Sequence, residues 1–302
     1  MSATAIVLVL VSAVVHASWN FVGKRSKPMA AFFAISGLAG FLVLLPFAVA
    51  WWSTLVAAPT SVWLRLIPAG FFQMLYFVGL AGAYRTGDMS VAYPIARALP
   101  VMLVPAVSLV IGQGEPIPAL SLAGMAGVAA GVFVVAQPTF RGFSWRSFGA
   151  RWFAFAVLAG IGTSGYSMVD DAALREFRAV LDPQIGSFRA PVLYAMLESL
   201  ATALNLVIAS LLVRGLRGTL REVRAVPVRA AIVSGLGIVV AYGIVLAALG
   251  FAANVSYVVA FRQVSLPIGG FLAVILLHER VSATRVAGTL VLLVGLVVIA
   301  LA

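Results

Sequence analysis

The sequence predicts an all-α membrane protein of ten transmembrane helices, arranged as two inverted five-helix repeats. Three observations lead there. Of 302 residues, 63% are hydrophobic and only 10% charged, whereas a soluble domain carries roughly 25% charged residues. A globular core cannot absorb so much apolar side chain, so most of it must face lipid or other spanning helices. Second, charges and Pro/Gly punctuation divide the chain into ten apolar stretches, each near the length of about 20 residues that crosses a bilayer. Third, residues 90–136 align without gaps on residues 254–300.

The spans are expected near 3–22, 30–52, 62–84, 89–111 and 118–136, then 150–169, 189–213, 229–250, 254–277 and 283–301. The first ends near His16-Ala17-Ser18-Trp19. It is too long for a signal-peptide core and has no basic start, so it reads as a retained helix. The largest pieces expected outside the bilayer are Pro138–Gly149, Asp170–Phe188 and Arg214–Val228, too small for a separate soluble domain. The chain therefore divides into a first repeat at 1–137, a linker at 138–149 and a second repeat at 150–302.

A net charge of +11 could suggest nucleic acid, but its distribution argues for a membrane. Of the 20 basic residues, Arg65, Arg97, Arg175, Arg178, Arg189 and Arg262 lie in even-numbered loops or inside spans; the rest gather in odd-numbered loops. The positive-inside bias then puts odd loops in the cytoplasm and both termini outside, in the periplasm of a bacterial inner membrane. Most basic side chains anchor loops at anionic headgroups. Cysteine is absent, so no disulfide or thiolate-metal framework exists.

The internal match has an offset of 164. It places Tyr93 on Tyr257, Glu115 on Glu279, Gly124 on Gly288 and Gly131 on Gly295. In each copy the acid closes the fourth helix of a half, and two glycines sit seven apart on the fifth, where small residues let helices approach closely. Five helices per half is an odd number, so the second half enters the membrane from the opposite side. Inverted repeats favour alternating access, with substrate near the midplane between the halves.

These features resemble the EamA-type members of the drug/metabolite transporter superfamily, over almost the whole chain. Two local motifs sharpen the likeness: His16-Ala17-Ser18-Trp19-Asn20 with Lys24 on the first helix, and Ala92-Tyr93-Pro94-Ile95-Ala96-Arg97 on the fourth. The resemblance implies a ten-helix fold and secondary transport, often export, of amino acids or other small metabolites. Relatives of ten helices are often drawn with both termini in the cytoplasm, opposite to the charge bias. The second half departs from the first-helix motif, with Ser164-Gly165-Tyr166-Ser167 where Ser18-Trp19-Asn20 has its counterpart.

An ionisable group at mid-membrane costs about 2.5–3.5 kcal/mol on insertion scales, which makes it a functional candidate. Glu198 is the one acid placed inside a span, and Arg97 and Arg262 are the two arginines. The repeat aligns Arg97 with Phe261, one position from Arg262, so the two guanidiniums are expected at comparable depth. Guanidinium is a planar fork suited to carboxylate or phosphate, which points to an anionic group on the substrate. An internal ion pair between Glu198 and one arginine is the competing structural account. His16 or Glu198 could carry a coupling proton; a neutral His16 bonding across helices is the alternative. Trp19 and Asn20 are candidates to line the site from one half and Tyr166 from the other, although Trp19 also suits an interfacial belt. Tyr76, Tyr93, Tyr242 and Tyr257 offer a flat face and a hydroxyl, or simply pack between helices.

Other chemistries lack their residues. Gly162-Thr163-Ser164-Gly165 matches a serine-protease pattern, but the only later histidine, His278, falls at a loop, and a serine nucleophile needs a base. No phosphate-binding GxxxxGK[ST] loop is present. The expectation is therefore a secondary active transporter and not an enzyme, moving an amino acid or similar zwitterion or anion, with export favoured. The alternatives are an uptake carrier, an organic-cation or multidrug efflux carrier centred on Glu198, and more remotely an intramembrane enzyme. The partners implied are a small-molecule substrate and membrane lipid, with no nucleic acid, metal or cofactor; monomer and dimer are both compatible.

Overall fold

The computed structural model describes residues 2–25, 29–86, 89–112, 117–135, 137, 139–140, 151–213, 216–217, 221–266, 268 and 282–301. Among them the regular structure is helical, without strands. The helices are α1 (Ala3–Arg25), α2 (Met29–Ala50), the single-turn α3 (Trp52–Val56), α4 (Thr60–Thr86), α5 (Met89–Val110) and α6 (Ala119–Val135). The second half contributes α7 (Arg151–Ala179), α8 (Pro183–Leu212), α9 (Val228–Leu249), α10 (Val255–Phe261) and α11 (Ala283–Leu301). Among the described residues, five helices are long and apolar enough to cross a membrane: Ala30–Ala50, Thr60–Ala83, Arg151–Ala179, Pro183–Leu212 and Val228–Leu249. Shorter apolar helical stretches occupy Ala3–Trp19, Leu99–Val110, Ala119–Val134 and Val286–Ile299.

The distribution of side chains is that of a multi-pass membrane protein. Val49, Ile67, Val110 and Leu212 stand exposed, while Gln73, Arg97, Asp170, Glu198 and Arg262 are buried. In water this would leave apolar patches uncovered around a charged interior; in lipid the apolar surface meets a matching solvent.

One boundary differs from expectation with consequences for the site. The span expected at 150–169 continues as helix to Ala179, and α8 begins at Pro183 rather than near 189, so Asp170–Phe188 is helical on both sides of a short turn and not a loop. The charged residues there occupy one helical face. Arg175 pairs with Asp171 at 2.9 Å, Arg65 of α4 reaches Glu176 at 2.5 Å, and Arg178 donates to the Leu246 carbonyl. The other face, with Asp170, Ala173, Leu174 and Phe177, is buried. The turn into α8 is sharp because Pro183 occupies its first position and the Asp182 side chain accepts from the Gln184 N–H at 3.0 Å.

The helices pack in a partner pattern that matters below. α4 lies along α7, and α1 along α9; α4 also meets α8, and α9 meets α2. α2 packs on α8, and α6 on α11. Glycines permit the tightest of these approaches. A Cβ on Gly162 would fall 2.5 Å from the Tyr76 nitrogen, and one on Gly79 2.5 Å from the Ala159 nitrogen. At the α6–α11 crossing, Gly124 faces the Gly295 carbonyl and Gly131 the Gly288 carbonyl. Glu115 and Glu279, the acids of the internal repeat, lie outside the described residues.

Candidate functional site

Near the middle of the bundle, α1, α4, α7, α9 and the turn after α10 line a partly open cavity of about 30 Å³. That is room for two or three waters, less than a metabolite fills. His16 and Trp19 line it from α1, Gln73 and Tyr76 from α4, Tyr166 from α7, Tyr242 from α9 and Arg262 from the turn.

The local structure explains how Arg262 comes to face the cavity. α10 starts on Asn254, whose side chain accepts from the Ser256 N–H at 2.9 Å. It tightens after two turns into a 3-10 turn at Arg262–Val264. Three residues beyond lies Pro267, which has no N–H to offer the Gln263 carbonyl and would clash with it in a continuing α-helix. The Arg262 carbonyl accepts from the Ser265 N–H, from the Arg97 guanidinium at 3.0 Å and from the Ser265 hydroxyl at 2.9 Å. Arg97 also donates to Ser265 Oγ at 2.9 Å. The Arg262 guanidinium lies over Tyr166 and Tyr242, 6.0 Å and 5.5 Å from the ring centres, and donates to the Tyr166 hydroxyl at 3.4 Å.

The two arginines thus divide their work. Arg262 presents its charge to the cavity, whereas Arg97 is not part of the lining and holds the backbone that carries Arg262. α5 itself remains helical through Pro94, Pro100 and Pro105, so the interruption belongs to the second half only. Arg97→Met is therefore expected to loosen the turn and weaken ligand binding about 10-fold or more, since a hydrogen bond from a charged donor contributes about 1.5–3 kcal/mol. Isothermal titration with any ligand that stabilises the protein checks this.

Behind the lining stands a polar layer. Gln73 donates to Glu198 Oε1 at 2.7 Å and accepts from Thr202 at 2.6 Å. Asp170 accepts from the Tyr194 hydroxyl at 3.0 Å and also from the Tyr242 hydroxyl. Glu198 therefore does not stand as the partner of one arginine; it belongs to a network of carboxyl, amide and hydroxyl groups that includes a second buried acid. Sequence reasoning missed Asp170 because Asp171, Arg175, Glu176 and Arg178 follow it closely. The signal was available in Tyr166, Asp170, Ala173, Leu174 and Phe177, which recur with helical period as one buried face.

Of the remaining candidates, Trp19 is buried and meets His16 edge-on at 4.9 Å, so it is a cavity residue and not a belt residue. Tyr76 and Tyr242 flank Tyr166 edge-on at 6.1 Å and 5.5 Å. Tyr257 does not line the cavity; its hydroxyl lies 3.4 Å from Ser121 Oγ, between α10 and α6. Tyr93 and Asn20 lie on α5 and α1, with side chains outside the described set. Ser164, the serine of the protease-like pattern, donates to the Gly160 carbonyl of its own helix at 2.9 Å. A second hollow of about 490 Å³ between α5 and α6 is lined by residues such as Met102, Pro105 and Leu122. Its lining has no polar side chain to orient a polar metabolite.

One solved crystal structure is similar along the whole chain, with a TM-score of 0.70 over 100% of this chain and 98% of that one. At 17% identity the likeness shows the fold alone. No protein-family model matches the sequence, and no curated protein matches it.

Proposed function

We propose that the protein is a secondary transporter of a small anionic or zwitterionic metabolite, an amino acid being the best single candidate, working by alternating access. The observation that carries this reading is the Arg262 guanidinium held in an aromatic cavity among helices that face lipid. A buried arginine whose charge faces a cavity is built to receive a carboxylate or similar anion. His16, Trp19 and the tyrosines Tyr76, Tyr166 and Tyr242 would hold the rest of the substrate.

The reading extends to ten spans in two inverted repeats, which the packing of the helices supports. An inverted repeat exchanges equivalent helices, so α4 on α7 implies α9 on α1, and α4 on α8 implies α9 on α2; both pairs occur. The crossing of Gly124 with Gly295 and of Gly131 with Gly288 is likewise the reciprocal contact of a two-fold axis. The cavity lies where the halves meet, as alternating access requires. The membrane would be a bacterial inner membrane with periplasmic termini, which a reporter fused to the C-terminus tests.

Export is the direction that the EamA resemblance implies, and uptake is the alternative; the sign of proton coupling decides between them. An organic-cation carrier centred on Glu198 is disfavoured because Glu198 stands behind Gln73, outside the cavity lining, while Arg262 is in it.

A thermal-shift screen of purified protein against amino acids, organic acids and quaternary amines tests the proposal. Ligand at 100 times its dissociation constant adds about 2.7 kcal/mol of native stability. Carboxylates are expected to stabilise wild type, and uptake of the same compounds into proteoliposomes should follow. Stabilisation by amines alone would overturn the anion reading.

A further inference from the structure

We propose that Asp170 and Glu198 act as one proton-binding pair, and that the proton they hold moves in the same direction as an anionic group bound at Arg262. The second clause rests on reading the cavity as the substrate site. The first rests on geometry alone.

Tyr194 and Glu198 are one helical turn apart on α8 and share a face. The Tyr194 hydroxyl reaches Asp170 across the α7–α8 contact, which brings the two carboxyl groups side by side. Both acids are buried, Asp170 at 0% and Glu198 at 1% exposure. Three of their four oxygens have donors: Tyr194 and Tyr242 on Asp170, and Gln73 on Glu198 Oε1. Glu198 Oε2 receives no N–H or hydroxyl donor from the described residues, and the group beside it is the Asp170 carboxyl. A bare carboxylate oxygen, buried beside a second carboxylate, is unfavourable on both counts. A single proton on it removes one of the two like charges and turns an unsatisfied acceptor into a donor.

The surroundings fix what that proton does. From α7 the pair faces Tyr166 and Asp171, from α8 Tyr194, from α9 Tyr242, and from the turn after α10 Arg262. α4 contributes Gln73 and, further out, Arg65. Beyond Arg262 stand His16 of α1 and Arg97 of α5. A proton on the pair removes one negative charge from near Arg262, because the acids stand just behind Gln73 and Tyr242. An anion at Arg262 then meets less repulsion in a medium of low dielectric. Proton and anion each favour binding of the other, and by linkage the effect is reciprocal. The proton comes from water on the open side, forms a carboxyl O–H on the pair, and leaves to water on the other side with the anion. Under an inward proton gradient this drives uptake, opposite to the direction the resemblance implies. A cationic substrate would instead take the place of the proton and exchange against it.

Infrared spectroscopy of wild-type protein in lipid tests the pair without any transport. The probes are acetate, as the smallest carboxylate, and tetramethylammonium. A protonated-carboxyl band is expected, sensitive to deuterium, and lost in both Asp170→Asn and Glu198→Gln. Tyr194→Phe keeps both acids while removing one donor to the charged form, so its band should persist to higher pH; it also serves as the variant to use if either acid substitution fails to fold. Acetate should move the midpoint of the band upward by about 0.7–2 pH units, the equivalent of a 5- to 150-fold coupling. Absence of the band, or a band unchanged in all three variants, overturns the pair. A band that shifts with tetramethylammonium but not with acetate, or with neither, overturns the shared direction and leaves the pair standing. A protein that shows the band yet moves no metabolite loses the transport reading instead.

Discussion

Replacing Arg262 with alanine is expected to abolish stabilisation by carboxylates and to weaken their binding by about 30- to 3,000-fold. Arg262 is the arginine whose charge faces the cavity, and its guanidinium is already placed over Tyr166 and Tyr242. Truncating one partner of a buried, hydrogen-bonded charge pair costs about 2–5 kcal/mol, and each 1.4 kcal/mol is tenfold in affinity. Arg262→Lys should recover little, since an ammonium cannot stack on two rings and present a planar fork together. Titration calorimetry on the two variants and wild type is the check. Wild-type affinity in Arg262→Ala would remove the anion clamp and leave Glu198 as the centre of a cation carrier.

The second large effect is on stability and concerns the crossing of α6 and α11. In Gly131→Leu the new Cβ would sit 2.4 Å from the Leu292 nitrogen and 2.7 Å from the Gly288 carbonyl, both backbone atoms that cannot turn aside. The helices must separate, and overpacking of this kind costs about 1–3 kcal/mol, sometimes more. Gly243→Ala is the matched contrast. Its Cβ would meet only the Ala195 Cβ at an ordinary 3.9 Å, so the change should stabilise α9 by about 0.5–1 kcal/mol through lower backbone entropy in the unfolded chain. Melting of both variants in one detergent reads the two signs. Equal melting points would mean that the close α6–α11 approach does not contribute to stability.

Legibility was uneven along the chain, and particular residues show why. Tyr166, Tyr242, Trp19 and His16, which line the cavity, stood out in the sequence because aromatic and polar groups within apolar spans are costly to leave facing lipid. Asp170 was not, because the charged run that follows it looked like the end of a helix. Its burial depends on α7 continuing another two turns with its charges turned to Arg65 and away from Tyr194 and Tyr242. Arg97 and Arg262 looked equivalent in sequence, yet the helix tightens into a 3-10 turn only at Arg262. Arg97 donates to a carbonyl of that turn.

By itself the sequence determined that the protein is helical and suited to a membrane, and that ionisable groups lie within its apolar stretches. Those properties follow from side-chain transfer energies and local backbone preference, which accumulate residue by residue along the chain. Only the tertiary structure decided that Arg262 faces the cavity while Arg97 braces its backbone, and that Glu198 has Asp170 beside it. Those outcomes depend on which helix faces meet, and the strength of a buried charge or hydrogen bond is set by partners that arrive from distant parts of the chain.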